Sequence, residues 1–231
     1  MMQKKIVILN GPKSSGKDMA AKWLEQWRMD TQHFEFKSQL YMDVANYYGI
    51  SMAQLNRLYE GDKSAPQECF GGKSMREAMI YVSEEVVKPE QGLEHYGRIL
   101  ADQIENSICD VAVISDGGVA NDNGGFYEWN ELFPLHDAFD FDNILIVQLY
   151  RQGCSFEGDS RRYWGEPTFP CVVLGTDEMD ITHPNDTPII SPNAPDLNVI
   201  RVFNNGTEQE YFQAINSIVG KWKRNDGGEL V

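Results

Sequence analysis

"VILNGPKSSGKDMAAKWL", residues 7–24, passes from an apolar run through two glycines into a helical pattern. Its centre, Gly11-Pro12-Lys13-Ser14-Ser15-Gly16-Lys17, fits the phosphate-cradling pattern G-x-x-x-x-G-K. A strand, a glycine-flanked loop and a helix N-terminus make an anion trap. Successive N–H groups turn inward, the helix dipole adds about half a positive charge, and Lys17 adds a full one. Gly11 and Gly16 allow backbone angles and close approach that side chains forbid. The pattern alone arises by chance, but here it stands where the chemistry needs it, after a buried strand and opening a helix. The pattern then asks for Ser or Thr, and this chain has Asp18. Either Asp18 ligates Mg²⁺, directly or through water, or it is an acidic first-turn residue that favours the helix dipole.

Working outward, residues 5–9 are apolar and β-branched, as in a strand buried on both faces. Ala20, Ala21, Trp23, Leu24 and Trp27 recur at helical spacing. A short strand is predicted over 33–36, then helices over 39–48, stopping at Gly49, and over 52–59. The polar stretch "EGDKSAPQECFGGK" reads as loop. A helix capped at or just before Ser74 runs to about 87 and ends at Pro89. Another helix is predicted at about 93–107, strands over 110–118, 143–153 and 198–207, and a helix from Glu208 to about Trp222.

Strands alternating with helices predict an α/β fold, a central, mainly parallel sheet flanked by helices. Ligands in such sheets bind beyond the strands' carboxyl ends. That rule gathers the Gly11 loop, Asp116, Arg151 and Asn204-Asn205 on one rim. Residues 152–197, rich in Pro, Gly and Asp, read as an irregular lid or insertion, and 224–231 as a frayed tail. One domain covers 1–231.

The 231 residues are 42% hydrophobic and 24% charged, the balance of a soluble globular protein. With 20 Lys and Arg against 35 Asp and Glu, the formal charge is -15, which argues against a nucleic-acid polymer or an anionic membrane as partner. The four cysteines and four histidines fall at no metal-ligand spacing. No apolar run approaches the ~18 residues of a membrane span, and no signal peptide is evident. The expectation is a cytoplasmic protein with reduced thiols.

The loop "GPKSSGKDMAA" resembles that of the bacteriophage deoxynucleoside monophosphate kinases, which carry Lys at its third position and end Ser-Gly-Lys-Asp. "SMREAMIYVSEE" is similar to the family helix with a substrate-contacting arginine, here Arg76. "VISDGGVANDN" resembles the strand end that begins with an aspartate, here Asp116. "LYRQG" matches the strand ending in an arginine that enters the lid, here Arg151, and "VFNNGTEQEYFQAINSI" the loop and helix near the adenine, which adds Asn205. Two positions depart. Gly117, Gly118 and Val119 fill the place of an arginine, and Tyr41 stands where a lysine is expected, with Lys37 and Ser38 upstream. Both touch the acceptor end, so they bear on substrate identity more than on the reaction.

The resemblance implies a P-loop kinase that moves the γ-phosphate of ATP to a deoxynucleoside monophosphate, in a phage setting and as a homodimer. It divides the chain into a monophosphate-binding helical region at about 37–107 and a lid at about 151–197. Gly11, Lys13, Ser14, Ser15, Gly16, Lys17 and Asp18 would hold ATP, with Asp18 and Asp116 near Mg²⁺. Arg76 is the first choice for the acceptor phosphate and Lys37 the second, either being alternatively a surface residue. Tyr41 is a candidate for stacking on the acceptor base. Arg151, Arg161 and Arg162 either reach the transferring phosphate or, for the last two, pair with Glu157, Asp159 and Glu166. Two rivals remain: a P-loop kinase of another small phosphorylated acceptor (phosphomevalonate kinases have a similar loop), and a nucleotide-binding regulator without transfer activity.

Overall fold

The computed structural model describes residues 4–117, 121–123, 126–157, 161–165, 168–169, 171–175 and 197–224. The tail at 225–231, the stretch 176–196 of the expected lid with Asp159 and Glu166, and Gly118 and Val119 lie outside them. Among the described residues eight strands run in chain order: β1 (Lys5–Asn10), β2 (Thr31–Phe34), β3 (Val111–Ile114), β4 (Asn121–Asn123), β5 (Phe126–Glu128), β6 (Ile144–Tyr150), β7 (Val172–Leu174) and β8 (Asn198–Asn204). Six form one sheet in the order β2-β3-β1-β6-β8-β7, all parallel, while β4 and β5 pair as an antiparallel hairpin. In β1, Val7 lies level with Val113 on one side and Leu145 on the other.

The helices are α1 (Lys17–Trp27), α2 (Lys37–Tyr48), α3 (Met52–Glu60), α4 (Met75–Tyr81), α5 (Lys88–Gln91), α6 (His95–Glu105), α7 (Leu132–Phe139) and α8 (Glu208–Arg224). Strand alternation divides the core between the two faces of the sheet. Ile6 and Ile8 pack with Leu100 and Ile104 of α6 and Leu132 and Leu135 of α7. Val7 and Leu9 pack with Ala20, Ala21 and Leu24 of α1 and with Tyr211, Ile215 and Ile218 of α8. A third cluster, around Val44, Leu55, Phe70 and Met75, belongs to the α2–α4 region alone. Among the described residues no helix is long and apolar enough to cross a membrane.

Several boundaries move for physical reasons. β2 ends at Phe34 and α2 starts at Lys37, because Asp116 Oδ1 and Oδ2 accept the amides of Phe36 and Lys37, both at 2.9 Å. The cap comes from 80 residues away, so no local signal marks it. Ser74 caps α4 in a reciprocal box with Glu77, as its S-x-x-E pattern predicts. Pro89 does not end the next stretch. A π-helical turn over Val82–Val87 lets Pro89 fall in the first turn of α5, where its missing N–H costs little, and Gly92 closes that helix. Residues 119–142, for which the pattern predicts no element, hold the β4–β5 hairpin and α7.

Within the expected lid or insertion at 151–197, the described residues are not all irregular or exposed. β7 extends the sheet beside β8, and Phe156, Tyr163 and Trp164 are fully buried. Asn10, the last residue of β1, donates from Nδ2 to the Arg162 carbonyl at 2.9 Å and accepts the Trp164 amide at Oδ1 at 2.8 Å. Gln148 Nε2 donates to the carbonyls of Trp164 and Gly165 at 2.9 and 2.7 Å. Residues 161–165 are therefore wedged into the sheet's carboxyl end.

At the opposite end, Lys223 of α8 reaches Asp30 at 2.8 Å and Asp110 at 2.7 Å, and Arg28 also meets Asp30. Burial alone would raise the Asp30 carboxyl, but the Lys223 hydrogen bond and the Arg28 charge outweigh it and hold it below its ordinary value. A depressed carboxylate stabilises the fold above its unfolded pKa, 3.8, and that contribution disappears as pH falls through the lower folded value. Lys223→Met is expected to cost ~0.5–1 kcal/mol at neutral pH. Urea midpoints of variant and parent should converge only below the depressed folded value, and a gap that persists there would contradict this assignment.

Candidate functional site

The 11–16 loop leaves β1 at the sheet's carboxyl edge, between the ends of β3 and β6. The connection from β1 runs to the β2–β3 side and that from β6 to the β8 side, so a topological switch point lies beside the loop. Ser14 has φ 67° and Gly16 φ 102°, both in the left-handed region. Ser14 holds this conformation at a cost of ~1–3 kcal/mol for a residue with a side chain. At Gly16 a Cβ would also lie 3.0 Å from Asn204 Nδ2 and 3.1 Å from the Tyr211 ring.

The carbonyls of Pro12, Ser14, Ser15 and Gly16 are each engaged by a side chain. Lys17 Nζ donates to Pro12 O at 3.0 Å, Arg151 Nη1 to Ser14 O at 3.3 Å, Asn204 Nδ2 to Ser15 O at 3.1 Å and the Tyr211 hydroxyl to Gly16 O at 3.2 Å. The amide of Ser15 returns to Pro12 O, while those of Lys13, Ser14 and Gly16 donate to no group among the described residues. Ser15 is fully buried and its hydroxyl has no hydrogen-bond partner among the described residues. Lys17 is buried at the start of α1, and Asp18 beside it is exposed. Burial pushes the Tyr211 hydroxyl up, Arg151 acting against and Asp18 with that shift, so it remains a protonated donor. Asn205 Oδ1 accepts the Gln152 amide at 2.9 Å, and its own amide donates to Leu174 O, which stitches together the ends of β6, β7 and β8.

A second polar cluster forms where β2 and β3 end. Lys37 Nζ contacts Glu35 Oε1 at 2.8 Å. Burial lowers Lys37, but Asp116 and Glu35 outweigh it and hold its pKa above the ordinary value. Burial raises Asp116, the Lys37 charge and the two capping amides only partly opposing it. Tyr41 packs on Tyr59, ring centres 5.0 Å apart, and its buried hydroxyl meets no partner in hydrogen-bond geometry. Burial and the Tyr59 hydroxyl raise Tyr41. Tyr59 feels burial too, but Tyr41, Lys37 and Lys63 together lower it, with Lys63 Nζ 3.3 Å from its ring centre. Arg76, exposed on the first turn of α4, donates its amide to Lys63 O at 3.4 Å.

The expected site residues thus divide into two groups along one edge. Gly11, Lys13, Ser14, Ser15, Gly16, Lys17, Asp18 and Arg151 share the loop, with Asn205 on the neighbouring turn. Lys37, Tyr41 and Asp116 share the β2–β3 end, and Arg76 adjoins it through Lys63. Arg161 and Arg162 are half-buried on the wedged segment. Asp18 and Asp116 are not brought into one acidic cluster, and among the described residues no group of three His, Cys, Asp or Glu side chains is placed to hold a metal ion. Gly117, where the resemblance expects an arginine nearby, lies under Trp164, and a Cβ there would be 3.2 Å from that indole and 2.9 Å from Ile8. Glu35, Tyr59, Lys63 and Tyr211 were not legible as site residues, whereas Asn204 was placed on the rim by its strand-end position. The T-x-x-E pattern over 207–210, realised as a capping box, is the one signal that fixes where α8 begins and hence where Tyr211 falls.

No model of a known protein family matches the chain, and no curated protein matches it. The resemblance of its loop to the phage kinases rests on the residues alone.

Proposed function

We propose that this protein is a P-loop kinase that transfers the γ-phosphate of ATP to a deoxynucleoside monophosphate. The observation that carries the reading is the 11–16 loop, with two left-handed residues, four carbonyls tied off by side chains, three amides without partners among the described residues and Lys17 bent over it. Such a loop at a helix N-terminus suits the β- and γ-phosphates of a nucleotide.

Phosphoryl transfer asks the protein for positioning and for cations. Lys17 and the loop amides would bind the phosphates, with the buried Ser15 hydroxyl as a further donor. Arg151, anchored to Ser14 O, adds positive charge at the rim. The donor set fits Mg²⁺ as an ion held mainly by phosphates and water, with the exposed Asp18 as its protein carboxylate; Asp116, occupied by the α2 amides, is the weaker candidate. When bound, Mg²⁺ supplies charge neutralisation on the phosphates. The acceptor phosphate brings its own ionised oxygen as nucleophile, so no general base is needed. Lys37 already shares its charge with Glu35, so the acceptor phosphate is assigned to Arg76 with Lys63, and the acceptor's base to the Tyr41–Tyr59 pair.

The test is coupled ADP release with Mg·ATP against the four deoxynucleoside monophosphates, their ribose counterparts and 5-hydroxymethyl-dCMP. Turnover that depends on one or a few of these acceptors is expected. A flat response to all would overturn the reading and direct the search to other small phosphorylated acceptors. With an active acceptor, Arg76→Ala should raise the acceptor KM ~10–100-fold, the worth of a charged hydrogen bond, and leave the ATP KM within about twofold. Equal changes in both constants would remove Arg76 from the acceptor site.

A further inference from the structure

The loop's supports come from distant parts of the chain. Asn204 ends β8 and Tyr211 lies in the first turn of α8, both buried, and each gives its donor to one carbonyl of the loop. Gly16 O already accepts the first helical amide, from Ala20, at 3.0 Å, and Tyr211 supplies its second partner. In a nest, the N–H groups face the anion only while the carbonyls between them point away. The carbonyls of Ser15 and Gly16 are held away by these two side chains, one an amide and one a phenol, from adjoining elements. Tyr211 also presses its ring on Gly16, 3.1 Å from where a Cβ would stand, so it limits the loop from behind as well.

We propose that Asn204 and Tyr211 are positioning residues that preorganise the 11–16 loop for phosphate by holding the Ser15 and Gly16 carbonyls outward. The inference rests on the nucleotide reading above and adds to it two residues that touch no substrate atom. Their effect is on the polyphosphate end of the ligand, with the acceptor side unaffected. Tyr211→Phe removes one oxygen and preserves the ring packing, which makes it the cleanest variant.

Calorimetric titration with inorganic tripolyphosphate in Mg²⁺, and with Mg·ATP, tests this on the full chain. Tyr211→Phe and Asn204→Ala should each weaken tripolyphosphate binding about five- to tenfold, the equivalent of one lost hydrogen bond. The ATP KM should rise in parallel while the acceptor KM is unchanged. Ile218→Val, buried in the same helix away from the loop, serves as a packing control that lowers stability without altering affinity. If Tyr211→Phe and Asn204→Ala, folded at the temperature of titration, bind tripolyphosphate as tightly as the parent, the positioning role is wrong and the nucleotide reading stands. If the parent itself binds neither tripolyphosphate nor ATP, both fall together.

Discussion

Lys17→Ala is expected to cut acceptor-dependent ADP release by about 10²–10³-fold, the usual cost of removing one preorganised charge from a developing anion. The lysine is buried, and its ammonium lies 3.0 Å from the Pro12 carbonyl, so it is already drawn into the loop it would serve. Its aliphatic stem packs at the start of α1, where alanine is a good helix former, so the fold should survive the change. The measurement is kcat for parent and variant with saturating Mg·ATP and acceptor, beside a melting curve for each. A variant that retains a tenth or more of the parent's turnover would place the phosphate site elsewhere.

Trp164→Ala is expected to lose ~3–5 kcal/mol of stability, as large-to-small changes of buried aromatics do. The indole is fully buried, 6.3 Å from that of Trp129 and against Gly117, while the backbone around it is tied to Asn10 and Gln148. Urea unfolding followed by far-ultraviolet dichroism gives the number. A loss under about 1 kcal/mol would mean that 161–165 is peripheral, and the lid expectation would return in full. Because Trp164 and Arg162 are both bonded to Asn10, one residue before the loop, the variant should also weaken tripolyphosphate binding.

Much of this was legible from local pattern. The buried strands announced themselves by continuous apolar runs, and the loop by two glycines and a lysine between strand and helix. What stayed hidden depends on pairings across long stretches of chain. Asp116 reads as a metal-side carboxylate at a strand end, yet its two oxygens cap α2, a role visible only when β3 lies beside β2. Tyr41 stood out as a departure from the kinases that the loop resembles, but its neighbours Glu35, Tyr59 and Lys63 come from other segments with no shared motif. The stretch 151–175 misled through its composition. Its glycines, proline and acidic residues speak for loop, while Phe156, Tyr163 and Trp164 are too widely spaced to show periodicity and find their places only against the sheet.

The side chains that hold the 11–16 loop come from 137, 189 and 195 residues further along. During synthesis the loop therefore leaves the ribosome well before its last two fasteners. A chain shortened before β8 can pair β1, β2, β3 and β6 but lacks both Asn204 and Tyr211. If the loop is the nucleotide site proposed above, its competence is a late acquisition, and a ligand that binds only the finished loop selectively stabilises chains that include α8.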